Sequence, residues 1–129
     1  MKNIIFFVFF TLIFSHTNNI LAQESENYLN IIAKSLSEEY VKSNADLFFT
    51  IQVGAFTNKN EVLEGIKNII ITEESDGLTK YRLGEFPTYA EAVSFKKIIL
   101  SVCDDAFIVP IKSGKRIHIK EALNNKDIL

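Results

Sequence analysis

At 129 residues the chain has room for one domain with extensions, and its apolar content, 47%, suits a globular protein that carries a hydrophobic leader. With 14 Lys and Arg against 16 Asp and Glu it lacks the basic excess by which nucleic-acid binders displace phosphate counterions. Its one cysteine excludes an internal disulfide, so the fold must rest on its core.

Residues 1–22 read as a secretory signal peptide: Lys2 gives the positive start, Ile4 to Phe14 the apolar stretch, and Ile20-Leu21-Ala22 the end before Gln23. Ser15 to Asn19 interrupt the apolar run well short of the roughly 20 residues a spanning helix needs, so no membrane span is expected after cleavage. In residues 23–46, Leu29, Ile32, Leu36 and Tyr40 follow helical spacing among polar neighbours. This amphipathic helix either packs on the domain or acts as a linker.

Phe49-Thr50-Ile51-Gln52-Val53-Gly54-Ala55-Phe56 alternates as a strand and ends in Gly-x-Phe. Phe49, Ile51 and Val53 form one face, and Phe48, Thr50, Gln52 and Gly54 the other. Asn58 and Glu61 have the spacing of a capping box for a short helix carrying Val62, Leu63 and Ile66. Ile69 to Thr72 reads as a second strand, Glu73 to Gly77 as a turn, and Leu78 to Leu83 as a third strand. The third strand puts Leu78, Lys80 and Arg82 opposite in sense to Thr79, Tyr81 and Leu83, and ends in a second Gly-x-Phe at Gly84-Glu85-Phe86. Thr88 and Glu91 repeat the capping box before a helix from Tyr89 to Val102, with Ala92, Phe95, Ile99 and Val102 on one stripe. Ala106 to Ile111 is the fourth strand and Lys112 to Lys115 a turn. Arg116 to Lys120 is a short extra strand or extended segment before a polar tail, 121–129.

The two Gly-x-Phe units stand 30 residues apart, which reads as two copies of one strand-helix unit. Strand, helix, strand, strand, helix, strand is an α+β, ferredoxin-like order: a four-stranded antiparallel sheet with both helices on one face and the other open to water. Thr50 and Gln52 would lie on that open face among Leu78, Lys80 and Arg82. Amide, hydroxyl and cationic donors around an apolar patch suit a sugar polymer, though an ordinary solvated sheet face has the same composition.

Nothing in the pattern points to an enzyme or to a cofactor. His118 alternates with Ile117 and Ile119 and reads as an exposed strand residue. Cys103 ends an apolar helical run and reads as a small buried hydrophobe. Asp104-Asp105 with His118 is too sparse for a metal site and reads as a solvated turn, and Glu73-Glu74-Asp76, which could be read as carboxylates for general acid chemistry, reads as a solvated loop.

The copies Ile51-Gln52-Val53-Gly54-Ala55-Phe56 and Tyr81-Arg82-Leu83-Gly84-Glu85-Phe86, joined through Asp76-Gly77-Leu78, resemble the sporulation-related repeat (SPOR) domain. Asp105-Ala106-Phe107-Ile108-Val109 followed by Gly114-Lys115-Arg116-Ile117 is similar to the form common in the Bacteroidetes branch of bacteria. The likeness spans about Leu47 to Ile119, within a domain of residues 47–120. It implies a periplasmic protein that binds peptidoglycan glycan strands, preferring those without stem peptides, as exposed at division septa. The resemblance places the family's strand-one glutamine at Gln52 and its strand-three basic residue at Lys80 or Arg82; with Thr50 of the open face and the family positions Ala55 and Leu78, these form the candidate glycan site. Two positions depart from it: Ala55 stands where several members have a small hydroxyl residue, and Leu78 where they have an aromatic ring. These departures keep a second reading open, a module that docks an envelope or division protein through its edge strand or its Tyr28 to Tyr40 helix, with the glycan site degenerate.

Overall fold

A computed structural model describes residues 27–124; the predicted leader, the first four residues of the predicted helix or linker (23–26) and the last five residues of the polar tail lie outside that range. Helix α1 occupies residues 27–34, and a single 3-10 turn follows at Glu38–Tyr40. Then come β1 (Leu47–Phe56), α2 (Glu61–Glu64), β2 (Ile70–Glu73), β3 (Thr79–Phe86), α3 (Tyr89–Ile99), β4 (Phe107–Lys112), β5 (Lys115–Arg116) and α4 (Ile119–Ala122). The fold is α+β. Its antiparallel sheet has five strands in the order β2-β3-β1-β4-β5.

The expected four-stranded sheet with two helices is therefore corrected at its carboxyl end. Ser113 and Gly114 take positive φ, 52° and 78°, the geometry of a two-residue hairpin turn, and fold Lys115–Arg116 back onto β4 as a fifth strand. His118 is accordingly not a strand residue. Its Nδ1 accepts from the Lys120 N–H at 3.2 Å and caps α4.

The capping expectations separate. Thr88 and Glu91 form the full capping box: Thr88 Oγ1 accepts from the Glu91 N–H at 3.2 Å, and Glu91 Oε2 from the Thr88 N–H at 3.3 Å. Asn58 does not cap α2. Asn60 does, its Oδ1 accepting from the Leu63 N–H at 3.0 Å, and the helix is one turn long, stopped at Gly65.

The inward sheet residues Phe49, Ile51, Leu83 and Phe86 join Phe95 and Ile99 of α3 in the core. Leu29, Ala33 and Leu36 enter the same cluster, so the amino-terminal helix packs on the domain and is not a free spacer. Tyr40 fastens this segment, its ring centroid 4.9 Å from that of Phe86 and its hydroxyl donating to Glu91 Oε1 at 3.0 Å. All these helical contacts fall on one side of the sheet. The side bearing Thr50, Gln52, Lys80 and Arg82 carries no helix among the described residues.

Two register shifts interrupt the β1–β3 pairing, one between Phe49 and Ile51 and one between Gln52 and Gly54. Each lies at a Gly-x-Phe unit. In both, the glycine makes room for the ring two residues on: a Cβ would stand 2.7 Å from Phe56 at Gly54 and 2.4 Å from Phe86 at Gly84. The shift at Gln52 sets Gly54 opposite Tyr81, so strict alternation along β1 holds only as far as Gln52.

Candidate functional site

Register places the predicted site residues side by side on the helix-free face. One row runs Ile70, Arg82, Gln52, Phe107 across β2, β3, β1 and β4; the next runs Thr72, Lys80, Ala55. Thr50 lies two residues before Gln52 and pairs with Val109. Leu78 precedes β3 at the hairpin end, half-buried, and Ala55 is exposed.

The centre of this face is not a loose solvated surface. Thr50, Gln52, Lys80 and Arg82 expose only 1%, 5%, 5% and 4% of their surface. Cations so placed need partners, because a desolvated charge without one is costly. The β2–β3 hairpin supplies both. Glu74 pairs with Arg82, and Asp76 Oδ2 lies 2.7 Å from Lys80 Nζ. The hydrogen bond from Lys80, then that from the Leu78 N–H, holds the Asp76 carboxyl below its ordinary range. Arg82 Nε also donates to Gln52 Oε1 at 3.2 Å, which fixes the amide and turns its NH2 group away from the guanidinium. Acids read from the sequence as a solvated turn are thus counter-ions of the site.

Two residues join this face that the sequence reading did not assign to it. Phe107, beside Gln52, is 40% exposed, and the Arg116 guanidinium stands 5.8 Å from its ring centroid. A cavity of about 260 Å³ lies at that end, bordered by Gln52, Ala55, Asp105 and Phe107. The signal was available: Phe107, Val109 and Ile111 alternate along β4, and antiparallel pairing sets Phe107 opposite Gln52. An aromatic ring therefore stands on this face, although Leu78, just ahead of β3, is aliphatic.

The candidates for other chemistry are structurally engaged. Cys103 Sγ donates to the Val53 carbonyl at 3.4 Å, and burial pushes its thiol up, away from the reactive thiolate. His118 is an exposed helix cap. Among the described residues no three His, Cys, Asp or Glu side chains converge as a metal site, and no helix is long and apolar enough to cross a membrane. Comparison of the chain with family models, with curated proteins and with solved structures returned no match.

Proposed function

We propose that this chain is a non-enzymatic, SPOR-like module of the bacterial envelope that acts in the periplasm and binds peptidoglycan glycan strands on the helix-free face of its sheet. The observation that carries this reading is the row Arg82, Gln52, Phe107, in which a fixed amide lies next to a half-exposed ring. A pyranose offers an apolar face to stack on the ring and hydroxyl or acetamido groups to hydrogen-bond the amide. The succession β1, α2, β2, β3, α3, β4 with neighbours β2-β3-β1-β4 supports a ferredoxin-like core, to which β5 and α4 are appended. On this reading Thr50, Gln52, Ala55, Lys80 and Arg82 line the strand's path, Leu78 flanks it, and Phe107 supplies the stacking ring. The preferred strands on this reading are those lacking stem peptides, as the SPOR resemblance implies, and such strands occur at division septa.

The second reading, docking of an envelope protein, draws on two observations. Lys80 and Arg82 already hold acids of their own chain, and α1 turns Tyr28 and Ile31 outward, both more than half exposed.

Co-sedimentation of residues 23–129 with purified sacculi separates the two. The glycan reading expects the protein in the pellet, more of it on sacculi stripped by an amidase, and little of it once Gln52→Ala and Phe107→Ala are combined. A protein that stays in solution with both kinds of sacculi would sink this reading in favour of the second.

A further inference from the structure

Strict alternation from Leu83 would send Glu85 into the core. It does not go there. Between Leu83 and Phe86 β3 takes three steps while β1 takes two from Ile51 to Phe49, and Gly84, at φ 78°, absorbs the extra residue. The bulge restarts the alternation, so that Phe86 enters the core and Glu85 turns to the helix-free face.

There it borders a cavity of about 210 Å³ whose walls include Phe48, Ile70 and Ile111, with Thr50 and Arg82 beside them. The polar groups of this cavity are mostly committed. Arg82 is taken by Glu74 and Gln52, and the Thr50 hydroxyl donates to the Leu83 carbonyl at 3.5 Å. Two groups stand apart: the Thr72 side chain also lines the cavity, and Glu85, whose carboxyl is met by the Ser43 backbone N–H, keeps a buried Oε2 that accepts no hydrogen bond among the described residues. A buried acceptor left open costs free energy that a donor from a ligand would recover.

The cavity thus asks for one donor attached to a small apolar group. A sugar hydroxyl would meet the carboxylate but leave three apolar side chains facing water or a polar ring edge. An ammonium would meet it too, at the expense of desolvating a full charge against those same walls. An acetamido group brings both parts, an N–H and a methyl. We propose that this cavity is an acetamido subsite, in which Glu85 accepts the amide N–H of an N-acetylated amino sugar and Phe48, Ile70 and Ile111 enclose its methyl. The inference rests on the glycan-binding reading and assigns that face one further recognition element, four strands' width of which is otherwise described by the Gln52 row.

Chitohexaose and cellohexaose differ only in the group at the second ring carbon, acetamido against hydroxyl, and serve as the probes. Calorimetric titration of the full mature chain should find chitohexaose bound about tenfold more tightly, the scale of one hydrogen bond to a charged acceptor. Glu85→Leu should bring the two to parity, and so should Ile70→Trp, which fills the cavity from the edge strand and leaves the carboxylate in place. Equal affinities in the unaltered protein, or a preference that survives both substitutions, would overturn the subsite. If sacculi are bound while the hexamers are not distinguished, the subsite alone is wrong. If neither hexamers nor sacculi are bound, the glycan reading itself has failed and the subsite fails with it.

Discussion

The two Gly-x-Phe units share one local device and have unequal structural weight. In each, a glycine at a register shift leaves space for a phenylalanine ring. At Gly84-Glu85-Phe86 that ring is 1% exposed, packed between Tyr40 and Phe95, and an eleven-residue helix with a complete capping box follows. At Gly54-Ala55-Phe56 the ring is 40% exposed, leans on Tyr81 with centroids 6.0 Å apart, and a four-residue helix follows. The second unit is an anchor of the core; the first ends a strand at the rim of the candidate site. A motif thus fixes local geometry, while its contribution to stability depends on what the next element covers.

Truncating the two rings should give the widest contrast. Phe86→Ala removes a fully packed aromatic and is expected to cost about 4 kcal/mol in urea unfolding, against about 1 kcal/mol for Phe56→Ala. Near-equal losses would mean that the first unit also holds the core. A smaller contrast is expected at the glycines. Gly84→Ala forces a side chain into a positive-φ position and against a buried ring, at about 3 kcal/mol, whereas Gly54→Ala meets the mobile ends of Phe56 and Leu63 and should cost about 1 kcal/mol. Smaller still are the caps: about 1 kcal/mol for Thr88→Ala and about 0.5 kcal/mol for Asn60→Ala, read from thermal midpoints.

The two units also differ in pH dependence, because Glu85 belongs to the second and Ala55 stands in the corresponding place of the first. Burial raises the Glu85 carboxyl above its ordinary range, outweighing the Ser43 backbone N–H and the Lys42 charge, which act the other way. A carboxyl with a raised folded-state pKa binds its proton more tightly in the folded protein, so its ionised form penalises the fold above that pKa. Glu85→Gln should therefore raise the thermal midpoint at neutral pH, and the gain should shrink as pH falls through the raised pKa and vanish below the ordinary one. Asp76 has the opposite sign. Its lowered carboxyl supports the fold above the ordinary carboxylate range, and that support is lost as the pH drops through its folded-state value.

Much of this was legible from residue patterns and some was not, for definable reasons. Strand alternation up to the two glycine bulges, the Thr88–Glu91 capping box and the turns at Asp76-Gly77 and Ser113-Gly114 are local, and the structure keeps them. The one-turn α2 and the fifth strand depend on where Asn60 and Gly65 cut a helix short and on how Gly114 turns the chain back. Burial of Lys80 and Arg82 was hidden because it depends on Glu74 and Asp76 reaching from the hairpin loop. Glu85 was hidden for another reason: the Gly84 bulge inverts the alternation that any pattern reading assumes.

That the helix-free face is the binding face is tested most directly by amide chemical shifts. Titrating labelled protein of residues 23–129 with amidase-stripped glycan strands should move the resonances of Phe48 to Ala55, Lys80 to Glu85 and Phe107 to Ile111 and leave those of α1 and α3 in place. Shifts confined to α1, around Tyr28 and Ile31, or no shifts at any position, would contradict it.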